Sequence, residues 1–470
     1  MPTLAESRQL RLLTLTAMYF AQGIPWGFIS VGYALLLADL GLGNAAVGAA
    51  MGMAYLPWSF KILWGPLLDS MPSLRFGRRR PFIIAAEAGM GLTLLALIPL
   101  DPRTALPAVS LLLFLHNTCA SLQDVAVDAL AVELLEEDER GRANALMWAG
   151  KSLGVALGGG GGAVISKYFG WSTLLLGMVV VLWAIMLLPI FLRERPARDG
   201  DVPASWGLLR HSSFLLPFVA VGGVLWALSR FEGDWVAIAQ PFAAVLVALL
   251  AWPLVDRVGF GAMRRSFSFV TPWWGVAAAA LTPVGYALVS APMARMLRAD
   301  LHLSEEQIGF LTGVVDPIAG VSGALIGGVI ADRLGARPAV GGLMGGIAVV
   351  LGIFSLTEVW WPSYTFLIGW TIAQTLLINA YSTGTLGLFM GLSNPRIGAT
   401  HFAIYMATTN LTYAWAAPLG GVLADRFGMV ALFGIAAVVQ IATIAVVPGL
   451  DARRAAAHYA AGALPDLTSQ

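Results

Sequence analysis

The sequence predicts an all-α protein that crosses a membrane many times. Of its 470 residues, 58% are apolar and only 12% are charged, a balance that cannot cover the surface of a soluble protein of this size. Long runs without Asp, Glu, Lys or Arg recur along the chain, and each is long enough to span a bilayer. These charge-free runs cover residues 12–38, 104–123, 168–192, 266–294, 338–357, 397–424 and 427–450.

A repeated segment indicates that the chain is built from similar units. The segment GGVIADRLG at residues 327–335 returns as GGVLADRFG at residues 420–428. A weaker copy, GAVISKYFG, occupies residues 162–170, and WGPLLD at residues 64–69 keeps only a glycine and an aspartate. The spacing of the copies leaves room for about three spans in each unit, so four units predict twelve helices. Repeats of this kind are typical of secondary transporters, whose substrate sites lie where the repeats meet.

Six spans fit the first part of the chain, and six fit the last part. The predicted limits of the first six are 12–38, 45–67, 81–100, 105–135, 143–166 and 171–192. The predicted limits of the last six are 267–294, 306–331, 338–357, 363–391, 398–423 and 428–449. They divide the chain into an N-terminal bundle at 1–192 and a C-terminal bundle at 266–450, followed by a cytoplasmic tail at 451–470.

The segment between the bundles, residues 193–265, combines a basic linker with two further apolar runs. Residues 211–229 and 235–255 contain no charged side chain, and a short charged tip separates them. We interpret residues 211–255 as an extra transmembrane hairpin, which brings the prediction to fourteen spans. A pair of helices lying on the membrane surface is the alternative, but such helices normally carry a strongly polar face, which neither run shows.

The distribution of arginine predicts the orientation and the location of the protein. Arginines collect in alternate loops, and basic loops stay on the cytoplasmic side, so both termini are expected in the cytoplasm. The first apolar run is too long for a signal peptide and is expected to be the first span. Together these features predict a multi-pass membrane protein. The lone Cys119 excludes an intrachain disulfide and a Cys-rich metal site. We expect the protein to be a monomer that binds no cofactor and no nucleic acid.

Ionisable residues inside apolar spans are costly, so they are candidates for function. Asp124 and Asp128 lie four residues apart on the fourth predicted span, and we expect them to titrate as a coupled pair that exchanges a proton. Lys61 and Lys151, the basic residues within helices, are their expected counter-charges. The alternative is a set of structural ion pairs that holds the N-terminal bundle together. Asp316 stands alone beside a proline in the eighth predicted span, which suggests ion or proton handling.

Polar and aromatic side chains inside the spans are expected to line a cavity for a polar solute, because such a cavity needs hydrogen-bonding groups and flat apolar surface. Glu87 lies only seven residues after Arg80, so we expect its side chain to reach back to the cytoplasmic loop. The candidate solute-binding residues are Tyr19, Gln22, Trp26, Gln123, Trp148, Gln374, Asn379, Asn410 and Tyr413.

Motifs for ATP hydrolysis and for enzyme catalysis are absent from the sequence. The phosphate-binding pattern GxxxxGK[ST] does not occur, and neither does HExxH or a nucleophile elbow. Active transport would therefore draw on an ion gradient, and the chain is not expected to be an enzyme.

Several blocks of the sequence resemble one family of membrane proteins. The loop GVIADRLGARP at residues 328–338 has a longer N-terminal counterpart, GPLLDSMPSLRFGRRR at residues 65–80, preceded by LPWSFKILW. Further matching blocks are residues 123–154, which begin QDVAVDALAVELL, and residues 398–421. In these blocks the chain resembles major facilitator superfamily transporters, and within them the AmpG-type muropeptide permeases and related acetyl-CoA transporters.

The resemblance implies two six-helix bundles that move a polar solute inward with protons across a bacterial inner membrane. It places Lys61, Gln123, Asp124 and Asp128 at matching positions. Relatives handle muropeptides, acyl-CoA or siderophores, and some keep the fold as non-transporting scaffolds, so these alternatives stay open. Two cytoplasmic loops are expected to act as latches between helices. Their candidate gating residues are Asp69, Gly77, Arg78, Arg79, Gly328, Asp332, Arg333 and Arg337. Asp425, in the second copy of the repeat, is expected only to end a helix.

Overall fold

The computed structural model describes residues 3–70, 77–136, 139–195, 215–228, 230–231, 233–255, 263–264, 266–394 and 398–461. Throughout these residues the regular structure is helical, and the one β-type contact is an isolated bridge between Thr3 and Arg193. The prediction of an all-α protein is therefore confirmed.

The first six helices lie where the sequence predicts the N-terminal bundle. Two π-helical turns, Phe28–Tyr33 and Leu157–Gly161, and a 3-10 turn, Leu56–Phe60, interrupt otherwise regular helices. The 3-10 turn begins beside Pro57, whose ring removes a backbone donor from the helix. The helices are α1 (Arg8–Asp39), α2 (44–70), α3 (Arg80–Leu97), α4 (Leu106–Leu134), α5 (140–169) and α6 (Trp171–Phe191).

Two helices follow at the position of the predicted extra hairpin, α7 (Leu215–Leu228) and α8 (Asp234–Val255). Their apolar side chains share one buried cluster with residues of α2 and of a helix in the second bundle. Trp252 is fully buried in this cluster, and Phe242 stacks on Trp415 with ring centroids 5.9 Å apart. The hairpin therefore packs along the seam between the two bundles.

The remaining helices form the second bundle. Its first helical range, Val270–Asp300, is interrupted at Thr282 and Pro283, and Gly428 separates the helices at 398–427 and 429–443. A further helix, α15 (Ala452–Ala461), follows in the predicted tail. The bundle helices are α9 (Val270–Asp300), α10 (Glu305–Leu334), α11 (Ala336–Leu356), α12 (Tyr364–Leu392), α13 (398–427) and α14 (429–443).

Nine helical ranges within the described residues are long and apolar enough to cross a membrane. One of them, His401–Ala457, contains both α13 and α14. The described part of α7 comprises 14 residues, which at about 1.5 Å per residue cover less than a hydrocarbon core of roughly 30 Å. The fold of two helical bundles is confirmed, whereas the count of fourteen spans stays a prediction.

The sequence repeats end in one and the same backbone conformation. Gly170, Gly335 and Gly428 are the last residues of three copies, and each has a φ between 82° and 86°. A residue with a side chain rarely adopts this φ, so glycine is needed where the chain leaves one helix and turns into the next. The final glycine of each copy is thus a helix terminator.

Glycines also set how closely helices approach. On α5, Gly154 and Gly158 pack against the backbone of α1 at Ile24, and an added Cβ at Gly154 would lie 2.9 Å from the Ile24 nitrogen. Two residues after Gly158, Gly160 faces α10 of the second bundle, where a Cβ would lie 2.7 Å from the Gly313 Cα. The glycine run of α5 therefore allows backbone-to-backbone packing both within and between the bundles.

We name the end of the bundles where α1 ends and α2 begins the outer end, following the predicted orientation, and the opposite end the inner end. Polar contacts between the bundles join the outer end. Arg298 of α9 donates to Asp39 of α1 at 2.6 Å, and Lys167 of α5 pairs with Glu306 of α10. Arg295 also donates to the Leu42 carbonyl at 3.0 Å.

Asp425 contributes a further contact at the outer end. Its carboxylate accepts hydrogen bonds from the backbone N–H groups of Asn44 at 3.0 Å and Ala45 at 2.8 Å, and from the Asn44 side chain at 2.8 Å. These N–H groups lie in the first turn of α2, where a helix has unpaired donors and a partial positive charge. The expectation that Asp425 only ends a helix is therefore wrong: this residue of the second bundle caps a helix of the first.

The contact between α1 and α5 is open to a test with two glycine substitutions. Gly154→Ala should destabilise the protein by about 1–3 kcal/mol, because the added methyl group meets the α1 backbone. Gly177→Ala on α6 is the matched control, since no atom lies within 4 Å of its added Cβ. It should be neutral or stabilising by up to about 1 kcal/mol, because alanine favours helices. Thermal unfolding in detergent measures both; equal midpoints for the two variants would contradict the proposed contact.

Candidate functional site

Asp124 lies between lysines from two other helices. Lys61 of α2 donates a hydrogen bond to its carboxylate, and the Lys151 Nζ of α5 lies 3.9 Å from the other carboxylate oxygen. Asp124 is only 3% exposed. An ionised carboxylate is costly at such a position unless opposite charges surround it, so the two lysines keep Asp124 charged.

Asp128 has a different environment, although α4 places it one turn from Asp124. The Tyr19 hydroxyl of α1 donates a hydrogen bond to the Asp128 carboxylate. Asp128 is exposed, whereas Asp124 is buried, so water reaches the Asp128 carboxylate and not that of Asp124. The helix thus carries one carboxylate neutralised by lysines and a neighbouring carboxylate that is open to solvent.

Aromatic rings surround the two ammonium groups. Lys61 lies 5.1 Å and Lys151 lies 5.4 Å from the ring centroid of Trp58. Lys151 also lies 5.6 Å from the ring of Trp148 and 5.7 Å from that of Tyr19. Cation–π attraction to these rings therefore stabilises the positive charges of both lysines. Trp148 itself is 54% exposed and faces solvent.

A chain of hydrogen bonds leads from Lys151 into the N-terminal bundle. Lys151 donates to the Gln22 carbonyl oxygen at 2.9 Å, and the Gln22 amide donates to Gln123 at 2.7 Å. The Gln123 amide donates to Glu87 on α3 at 3.1 Å and to the Met18 carbonyl at 3.2 Å. Glu87 is 0% exposed, so the expectation that it reaches the cytoplasmic loop is wrong. The partner that holds it is Gln123.

A row of aromatic rings crosses the seam between the bundles. Trp26 lies 5.5 Å from Tyr55, Tyr55 lies 6.1 Å from Tyr413, and Tyr413 lies 6.0 Å from Tyr286, measured between ring centroids. The Asn410 amide of α13 also donates to the Trp58 carbonyl at 3.2 Å. Flat apolar surface and amide groups from both bundles therefore meet beside the lysines.

The second bundle contributes a smaller polar group. Asp316 of α10 accepts a hydrogen bond from the Thr375 hydroxyl of α12 at 2.6 Å, and Asn379 donates to the Thr375 carbonyl at 2.9 Å. Asp316 forms no ion pair within the described ranges, in contrast to Asp124. The Gln374 carbonyl oxygen is buried without a hydrogen-bond partner there.

The candidate gating residues of the first bundle contact that same bundle. Arg79 donates to Glu133 at 2.9 Å, and the backbone N–H groups of Arg78 and Arg79 donate to Glu194 at 2.8 and 2.7 Å. Gly77 has a φ of 119°, which glycine alone adopts readily. The side chain of Asp69 lies outside the described residues.

In the second bundle the gating residues are mostly exposed. No ion pair of Asp332 or Arg333 occurs in the part of the chain that the structure describes, and Gly328 packs against nothing within 4 Å of its Cβ position. Arg337 pairs with Asp451 at 2.9 Å, within the same half of the protein. The latch expected around Asp332 stays a prediction.

Sequence reasoning missed several residues of the site, among them Tyr55, Trp58, Glu87 and Tyr286. Trp58 precedes Lys61 by three residues, so helical spacing could have placed its ring beside that lysine. The contact of Tyr55 with Tyr413 joins residues far apart in sequence, which no local pattern reveals. The described residues contain no group of three or more His, Cys, Asp or Glu arranged to hold a metal ion.

Comparison with known proteins identifies the family to which the chain belongs. The family model of the Major Facilitator Superfamily matches residues 15–231 and 276–465. The anhydromuropeptide permease of Escherichia coli K12 is 23% identical over 441 residues, which cover 92% of this chain and 78% of that protein. A putative transporter, AmpG 4 of Rickettsia conorii, is 21% identical over 434 residues, covering 90% and 92%.

Two solved structures share the fold. A crystal structure of a D-xylose-proton symporter has a TM-score of 0.64 at 15% identity and covers 93% of this chain and 96% of its own. A POT family transporter in complex with a thioalcohol-conjugated peptide has a TM-score of 0.68 at 12% identity, covering 94% and 95%. The two relatives named above, which the chain matches along most of its length, are an anhydromuropeptide permease and a putative AmpG transporter. The chain therefore belongs to the major facilitator superfamily of membrane transporters.

Proposed function

We propose that this protein is a proton-coupled symporter of a bacterial inner membrane that imports an anionic, polar solute of the muropeptide class. The cluster of Lys61, Lys151, Asp124 and Asp128 carries this proposal. The solute class follows the printed name of the Escherichia coli relative, and it agrees with the aromatic row, since sugar rings and peptide groups bind beside flat apolar surface and amides.

Charge balance gives the cluster a means of coupling. Two lysines balance two ionised carboxylates, so the cluster is neutral when Asp124 and Asp128 are both charged. Protonation of Asp128 leaves one uncompensated positive charge beside Lys151, which attracts an anionic group of the solute. Proton and solute then occupy the site together, and loss of either weakens the binding of the other.

Alternating access requires that one end of the site closes when the other opens. The contacts of Asp425, Asp39 and Glu306 hold the outer end closed, while Asp332 at the inner end has no ion pair among the residues that the structure describes. We infer that this arrangement faces the cytoplasm, and that engagement of Asp332 accompanies the opposite state. Asp316 is a second candidate for proton binding, on the second bundle.

Transport by the purified protein tests the proposed function. Protein reconstituted in liposomes should accumulate a radiolabelled anhydromuropeptide when the outside is made acidic, and the lumen should acidify as the solute enters. Accumulation should vanish when a protonophore removes the gradient. A protein that binds the solute but moves neither solute nor protons would instead be a scaffold, and the proposal would be wrong.

Asp128→Asn should separate proton coupling from solute movement. Asparagine resembles the protonated acid, so the positive charge at Lys151 persists and solute exchange without a gradient should continue. Gradient-driven accumulation should fall roughly tenfold, within the range that coupling free energies of about 1–3 kcal/mol produce. Asp101→Asn, in an exposed loop, is the matched control and should accumulate solute normally. Full accumulation by Asp128→Asn would remove this residue from the coupling mechanism.

Asp425→Ala should shift the protein towards the state that is open at the outer end. Loss of a helix cap costs about 1 kcal/mol, which corresponds to a roughly fivefold change in population. The labelling rate of a cysteine placed at Val31, in a Cys119→Ser background, reports opening at this end. Asp101→Ala is the control, because Asp101 lies in an exposed loop and accepts a hydrogen bond from the Arg103 N–H of that loop at 2.9 Å. Equal labelling of both variants would show that Asp425 does not hold the outer end.

A further inference from the structure

Glu87 is a buried acid that the coupling mechanism above does not use. It lies on α3, behind the lysine cluster, and is 0% exposed. One carboxyl oxygen accepts from the Gln123 amide at 3.1 Å, and the other oxygen is buried without a hydrogen-bond partner in the described residues. A carboxyl group where an amide or an apolar side chain would pack more easily calls for an explanation.

Among the residues that the structure describes, none forms an ion pair with Glu87. α3 packs against α4 and α6, and the titratable side chains that α4 presents to α3 are Cys119, near Gly89, and His116, which contacts the Met90 carbonyl at 3.1 Å. On α6, Trp183 packs at Gly91. An ionised carboxylate with one neutral hydrogen bond is far too costly at such a site, so the site favours the neutral acid.

The hydrogen bonds that lead to Glu87 all run in one direction. Lys151 can only donate, so it fixes Gln22 with its carbonyl oxygen towards α5 and its amide towards Gln123. Gln123 is fixed independently, because its amide also donates to the Met18 carbonyl. The chain therefore needs an acceptor at its far end, and the carbonyl-type oxygen of a neutral Glu87 supplies it.

The chain also sets the position of Lys151. Lys61 contacts Asp124 directly, whereas Lys151 is 3.9 Å from the same carboxylate and 2.9 Å from Gln22. Gln22 thus competes with Asp124 for the ammonium group. Without that competition, Lys151 would pair fully with Asp124 and its charge would no longer be offered to a solute.

We propose that Glu87 is a positioning residue of the transport site: as a neutral acid it ends the hydrogen-bond chain through Gln123 and Gln22 that holds Lys151 away from Asp124. The proposal rests on the role of Lys151 in the proposed function. It assigns to α3, which contributes no residue to the charged cluster, an influence on solute affinity.

The experiment compares Glu87→Leu, which removes the acceptor, with Glu87→Gln, which keeps a neutral acceptor oxygen. Thr93→Val on the same helix is the matched control, since Thr93 bonds within α3 and to His116 but not to the chain. Glu87→Leu should raise the KM of anhydromuropeptide uptake about tenfold, as expected for a weakened hydrogen bond to a charged group. Glu87→Gln and Thr93→Val should keep the KM and the pH profile of the unaltered protein.

Acylation of Lys151 by acetic anhydride gives a readout that does not depend on transport. The chain has three lysines, Lys61, Lys151 and Lys167, so mass spectrometry separates them and Lys167 serves as the internal reference. Glu87→Leu should slow the acylation of Lys151 several-fold, because a tighter pair with Asp124 keeps the amine protonated. Glu87→Gln should restore the original rate.

Several results would overturn the proposal. An unchanged KM and an unchanged Lys151 rate in Glu87→Leu would show that the chain does not position the lysine. A shifted pH profile in Glu87→Gln would show that Glu87 acts through its ionised form. If Glu87→Leu fails to reach the membrane, Glu87→Gln alone tests the proposal, and a change in its pH profile or in its Lys151 acylation rate would overturn it. If the unaltered protein moves no solute, the proposed function fails, and the acylation rates still test the hydrogen-bond chain.

Discussion

A carboxylate that is buried within the membrane must be neutralised, and the N-terminal bundle is organised around this requirement at Asp124. Its two counter-charges come from α2 and α5, so the ion pairs join helices that are distant in sequence. Trp58 supports both ammonium groups, and Gln22 limits how closely one of them approaches. The residues that stabilise the bundle are therefore the same residues that could exchange a proton and a solute, which explains why ion-pair and transport interpretations were both open for them.

The two well-preserved copies of the repeat illustrate how one sequence serves two tasks. Both end at a glycine with positive φ, because both must stop a helix and reverse the chain. Their aspartates differ: Asp425 caps α2 of the opposite bundle, whereas Asp332 is exposed and unengaged within the described residues. In a protein that closes one end at a time, equivalent residues at the two ends are expected to form their contacts alternately.

The sequence predicted the broad fold well, because charge-free runs and glycine repeats are local signals that the bilayer enforces. It also singled out Asp124, Lys61 and Lys151, since charges inside apolar spans stand out. It failed where the outcome depends on contacts between distant segments. Glu87 was expected to reach solvent because Arg80 is near in sequence, but its partner Gln123 lies on another helix. The cap formed by Asp425 was missed for the same reason.

The meeting of Gly160 with Gly313 has a mechanical consequence. At this point the atoms of α10 nearest to Gly160 are main-chain atoms of Gly309 and Gly313. Most helix interfaces interlock knobs with holes, and separating them disrupts many dispersion contacts at once. A contact formed by main-chain atoms has no interlocked side chains to separate. α5 and α10 can therefore rotate about this contact while the tighter interfaces inside each bundle stay intact.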